Sequence, residues 1–139
     1  MKQFYTRYEL TIFLLFHVVY CDERIFTYHH YHSKAWELLI CIRGEASVII
    51  GGDSGPKVTI SSGDLVLVPP GVAHKQLDEK DGFALLGSYP TTDFDGSIDT
   101  LTGIPTEEQR ERIVRCHVPD HDPIFRLNIK QLCHHAPTL

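Results

Sequence analysis

The chain of 139 residues has the length of one compact domain, and with 42% hydrophobic residues it can fill a single core. Its formal charge is -5 and its Lys and Arg are scattered, so it lacks the basic footprint that a phosphate backbone requires and no nucleic-acid partner is expected. Cys21, Cys41, Cys116 and Cys133 stand at long, uneven gaps with no C-x-x-C pair, which argues against a zinc ribbon or a disulfide framework and for a reducing, cytoplasmic setting.

Taken in chain order, the first element is the apolar run "LTIFLLFHVVYC" from Leu10 to Cys21. It follows Lys2 and Arg7 in the manner of a secretory signal, but Glu9 precedes it, His17 interrupts it and no small-residue cleavage site follows. It is too short to cross a bilayer as a helix, and its Phe, Val and Tyr residues favour strands, so a strand over Thr11 to Tyr20 and no membrane partner are expected. The run exceeds what one barrel edge needs, which predicts that residues 1–24 pack on or swap with a partner barrel in a homodimer.

Residues 25–90 carry short extended runs separated by turn clusters, the pattern of an all-β sandwich or barrel. The expected strands are Ile25 to His32, Glu37 to Ile42, Ala46 to Ile50, Lys57 to Ile60, Leu65 to Val68, Ala73 to Leu77 and Phe83 to Tyr89. The breaks "RGE", "GGDSGP", "SSGD", "PPGV" and "DEKDG" supply Gly for positive φ, Pro for fixed φ, and Asp or Ser for local hydrogen bonds. Residues 91–139 begin as a loop, and "TEEQRERI" then pairs Thr106 with Gln109 at capping-box spacing, predicting one short helix. "VRCHVPDHDPIF" contains two prolines and is expected as an extended tail over the barrel.

The chemistry concentrates in "HHYHSKAWE", residues 29–37. In a strand His30 and His32 share one face, and imidazoles at that spacing can grip one metal ion. A strand with hydrogen-bonded surface histidines is the plainer reading of the pair alone. Glu37 heads the apolar run "ELLICI", where a carboxylate either faces solvent or is neutralised, and ligation would neutralise it. In "GDLVLVPPGVAH" the Pro69-Pro70-Gly71 turn sets the direction of the next strand, so that His74 can be aimed into the same cavity.

These two segments resemble the paired motifs of the cupin superfamily. The first has His30, one residue, His32, four residues, Glu37, six residues and Gly44; the second has Gly63, five residues, Pro69, one residue, Gly71, two residues and His74. The wider strings "YHHYHSKAWELLICIRGEASVIIGG", "DGFALLGSYP" and "VPDHDP" are similar to the small single-domain YjlB-like branch, over roughly Ile25 to Phe125. Asp78 stands where cupins often place Asn, and Trp36 where the branch commonly has His.

The resemblance implies an all-β double-stranded β-helix, or jelly-roll barrel, with a divalent ion held by His30, His32, Glu37 and His74. Fe, Mn, Ni, Co and Zn all tolerate three imidazoles and one carboxylate, and an octahedral ion would keep two positions open. Strand parity puts Tyr28 with the histidine pair, Cys41 with Glu37 and Gln76 with His74, so these three are candidate residues for binding a small molecule. For Cys41 plain core packing is the favoured reading. No catalytic acid or base stands out. The expected function is metal-dependent chemistry on a small molecule, oxygenase- or isomerase-like, with a non-catalytic metal or ligand-binding module as the alternative. A second metal site from Cys116-His117 and Cys133-His134-His135 has irregular spacing and is not expected.

Overall fold

The structure, a computed structural model, describes residues 16–20, 24–90 and 97–118. Five strands and one helix follow in order: β1 (Phe16–Tyr20), β2 (Glu37–Ile50), β3 (Lys57–Ser61), β4 (Leu65–Val68), β5 (His74–Pro90) and α1 (Glu107–Arg115). The strands pair antiparallel in the order β1-β5-β2-β3, with β4 also on β2. Among these residues no helix is long and apolar enough to cross a membrane. The expected swap of residues 1–24 and the tail beyond 118 lie largely outside the described residues; the described backbone of β1 pairs with β5 of its own chain, from Phe16↔Pro90 to Tyr20↔Gly87.

Two long strands organise the rest. The first half of β2 pairs with β4, Glu37↔Val68 through Ile40↔Leu65, and the second half with β3, Glu45↔Ser61 through Ile49↔Lys57. Its other edge pairs with β5 from Leu38↔Ser88 to Ile50↔His74. Sequence reading placed breaks at "RGE" and "DEKDG", and here the structure corrects it: both strands run through. The turn residues make bulges instead. Between Glu45↔Lys80 and Arg43↔Ala84 a step of two residues on β2 is matched by four on β5. Asp81 and Gly82 take positive φ there, which absorbs the extra length without ending the ladder.

Gly44 makes this corner possible. Its φ is +67, and a Cβ on it would lie 2.5 Å from the Lys80 carbonyl oxygen and 2.7 Å from the Phe83 nitrogen. The bulge also changes which residues face inward. Leu39 and Cys41 join the core cluster before it, Ala46 and Val48 after it, so the positions that enter this cluster switch from odd to even numbers. On β5 the switch is from His74 and Gln76 to Phe83 and Leu85. These side chains, with Ile25, Ile60 and Val68, form one buried cluster, in which each large aliphatic or aromatic residue contributes about 1.5–3 kcal/mol by leaving water.

The expected strand Ile25 to His32 is not a strand. Its backbone is tied to β5 by the Gln76 N–H donating to the Phe26 carbonyl (2.9 Å) and by an isolated bridge His30↔His74. Three residues, 27–29, stand against the single Lys75 between these ties, so the segment bows outward. Tyr31 is bridged on its other side to Leu101.

The helix starts where its capping box predicts. The Gln109 N–H donates to Thr106 Oγ1 (3.3 Å) and the Thr106 N–H to Gln109 Oε1 (2.8 Å). None of its residues is fully buried. It rests on the barrel through Tyr31, whose hydroxyl donates to Gln109 Oε1 (3.2 Å), and through Ile113 against Gly71.

Candidate metal centre

Three stretches of the chain bring His30, His32, Glu37 and His74 together, all buried, with one donor atom from each lying within 4.8 Å of the others. Glu37 heads β2 and His74 heads β5. The bridge to His30, with N···O distances of 3.1 and 2.9 Å, sets the first histidine beside His74, and their ring centroids are 4.2 Å apart. The Gly71 N–H donates to the His32 carbonyl (2.8 Å) from the Pro-Pro-Gly turn. Gly71 has φ +79 and a Cβ there would meet Ile113, so the turn, the helix and His32 are locked to one another.

The hydrogen bonds at the back of the rings decide what faces the centre. His32 Nδ1 lies 2.6 Å from the Asp99 carbonyl, His74 Nδ1 3.1 Å from that of Val72, and His30 Nδ1 3.4 Å from that of Tyr28. A ring nitrogen facing a carbonyl carries the proton, which in the neutral imidazole leaves Nε2 as the acceptor. His32 and His74 point Nε2 at Glu37 Oε2, at 3.3 and 3.1 Å. These three atoms are buried and have no hydrogen-bond partner. A group of buried acceptors facing one another is costly unless a proton or a cation sits among them. The donor set therefore fits a divalent ion.

Electrostatics point the same way. Burial, with His74 next to it, lowers His30 to about 4, so this imidazole is neutral at physiological pH. Burial also opposes charge on His32, but contact with the Glu37 carboxylate outweighs it and raises the pKa. Burial likewise opposes charge on Glu37, yet His32 and His74 hold its carboxyl well below the usual carboxylate range.

A cavity of about 450 Å³ lies over the four residues. Ile25, Leu39 and Leu85 give it apolar walls, and its polar lining includes Thr100, Ser97, whose hydroxyl accepts from Lys34 Nζ at 2.7 Å, and Arg24, ion-paired to Glu79 at 3.0 Å. None of the three further residues suggested by strand parity lines it. Tyr28 is exposed, stacks on Phe26 and stands edge-on to His30 with ring centroids 6.0 Å apart, outside the cavity. Cys41 packs in the core, where burial raises its thiol pKa. The Gln76 amide accepts from the Ile25 N–H (3.1 Å) and donates to Glu79 (2.8 Å), so it fastens the entering chain.

Two residues at the site escaped sequence reading. Tyr89 donates its hydroxyl to Glu37 Oε1 at 2.6 Å. Its signal was the alternation Phe83, Leu85, Gly87, Tyr89, but only the register Leu38↔Ser88 shows that the series ends opposite Glu37. Asp99 receives His32 Nδ1 on its carbonyl and binds the Ser33 N–H (2.9 Å) and hydroxyl (2.5 Å) with its carboxylate. Nothing in "TTDFDGSIDT" distinguishes it from its neighbours. Of the second metal group, Cys133, His134 and His135 lie outside the described residues.

An antiparallel β fold in which Glu37 and His74 head two long paired strands and His30 and His32 join them from the segment before β2 defines a class of protein, and sequence comparison agrees. The cupin domain family matches residues 22–81. The chain is 40% identical over 104 residues to the uncharacterized protein YjlB of Bacillus subtilis (strain 168), covering 72% of this chain and 60% of that protein. It thus spans about 60% of the length of the curated relative it matches. Solved structures with partial likeness include protein NMB1881 from Neisseria meningitidis (20% identity, TM-score 0.45, covering 52% of this chain and 72% of that one). Another is the plu4264 protein from Photorhabdus luminescens (15% identity, TM-score 0.35, covering 70% and 60%). Residues 22–81 are a cupin domain, the chain is YjlB-like over 72% of its length, and its fold is the jelly roll of that domain.

Proposed function

We propose that His30, His32, Glu37 and His74 hold one divalent cation and that the cavity over them admits a small molecule to it, making this a metal-dependent enzyme of small-molecule chemistry. The observation that supports this reading is the convergence of buried acceptors, His32 Nε2, His74 Nε2 and Glu37 Oε2, left without hydrogen bonds. When bound, the ion would supply Lewis acidity or a redox centre at the cavity floor. The chain's own contributions are separate. The carbonyls of Tyr28, Val72 and Asp99 hold the imidazole tautomers, Leu39 and Leu85 keep one wall apolar, and Thr100 brings a polar side chain to the lining. The ligands suit Fe, Mn, Ni, Co or Zn alike.

The test is elemental analysis of protein purified without an affinity tag, beside His74→Ala. Near-stoichiometric metal in the wild type and about a tenth or less in the variant is the expected result; equal metal in both would refute the assignment. Fe-loaded protein is then assayed for dioxygen uptake, and Mn-, Ni-, Co- and Zn-loaded protein for isomerisation, with diols, thiols and keto acids. Metal bound without turnover of any of them would favour a non-catalytic binding module.

A further inference from the structure

The arrangement around Glu37 is asymmetric in a way that the ligand set alone does not require. One carboxylate oxygen, Oε2, faces His32 and His74, while the other, Oε1, accepts the Tyr89 hydroxyl at 2.6 Å. Tyr89 is itself 6% exposed and fixed. It follows Ser88, which pairs with Leu38 across the β2–β5 ladder, and its ring stands edge-on to His32 with centroids 5.4 Å apart and planes at 84°. A carboxylate free at both oxygens can bind a cation through one or both. A charge-assisted O–H···O⁻ bond of this length occupies the second oxygen and sets the plane of the group.

We propose that Tyr89 is a positioning residue that restricts Glu37 to one metal-bound oxygen and thereby keeps a coordination position free for the small molecule. This inference rests on the metal reading above. A four-coordinate protein set on an octahedral ion leaves two positions, and a carboxylate that swings to bind through both oxygens takes one of them. Tyr89 also lines the cavity, so the residue that orients the ligand stands beside the space where the small molecule would approach.

The experiment compares Mn(II)-loaded wild type and Tyr89→Phe by water-proton relaxation, which counts exchangeable waters on the ion. The phenylalanine keeps the ring that packs on His32 and removes only the hydroxyl. Relaxivity per bound Mn is expected to fall to about half, as two open positions become one, with thermal unfolding and circular dichroism little changed. Unchanged relaxivity in a folded, Mn-loaded variant would overturn the role of Tyr89 while leaving the metal site standing. Wild type that binds no Mn, Fe, Co, Ni or Zn overturns both. Should Tyr89→Phe fail to fold, the infrared difference spectrum of the wild type with and without Mn reads the same point from its carboxylate stretches. One-oxygen binding by Glu37 is expected, and two-oxygen binding would refute the proposal.

Discussion

The two sides of the site are held in different ways. Glu37 heads a strand bonded on both edges, to Val68 of β4 and, one residue on, to Ser88 of β5. His30 and His32 sit on a segment fixed by single bridges, by the Gly71 N–H and by Asp99. A carboxylate on a doubly paired strand inherits the stability of the whole sheet, whereas the imidazoles depend on a few loop contacts that can be removed one by one. Damage to the corner of the barrel should therefore unfold the protein, and damage to the loop should loosen the site while sparing the fold.

The largest effect is expected at the corner. Gly44→Ala puts a Cβ against the Lys80 and Phe83 backbones at a positive φ, and should cost upward of about 3 kcal/mol in urea unfolding. A loss under about 1 kcal/mol would show that the ladder yields there and that the sheet side is no firmer than the loop side.

Asp99→Ala should do the reverse. It removes the acceptors for the Ser33 N–H and hydroxyl, at about 1–3 kcal/mol of stability, and frees the carbonyl that orients His32. Metal affinity is expected to fall about 10-fold or more, as when an outer partner of a ligating histidine is lost. Calorimetric titration with Zn(II) checks it; wild-type affinity would mean that the loop does not position the histidine.

The smallest effect sharpens the comparison within the loop side itself. In metal-free protein His30 has its folded pKa depressed to about 4 from 6.5, so the unfolded chain takes up the proton first and stability falls as pH drops from about 6.5 towards about 4. The raised pKa of His32 acts oppositely: its contribution is fully present below 6.5 and is lost as pH rises through the folded value. The two slopes have opposite signs and lie on either side of 6.5, so a shallow stability maximum near that pH is expected from this pair. Replacing His30 by Gln should flatten the acid side alone in pH-dependent denaturant unfolding. An unchanged acid limb would show that His30 is protonated in the fold.

The four candidate ligands were legible because strand spacing and turn chemistry are local. Histidines two apart share a face whether the segment is a full strand or, as here, a bowed one pinned at single bridges, and a Pro-Pro-Gly turn aims whatever follows it. Tyr28, read by the same parity, does lie edge-on to His30, but it is exposed and does not line the cavity. "RGE" and "DEKDG" were read as ends of strands because turn residues look alike in a hairpin loop and in a bulge; the difference lies in whether a neighbouring strand continues past them.

What the sequence by itself determined is therefore the extended character of most of the chain, the helix cap at Thr106 and the identity of four residues able to share a cation. The partner strands decided the rest. Tyr89 reaches Glu37, and the carbonyl of Asp99 reaches His32, across 52 and 67 residues of chain. Such contacts depend on register and on the closure of the sheet, which no short stretch of sequence carries, because the free energy that selects them comes from burying both long strands at once.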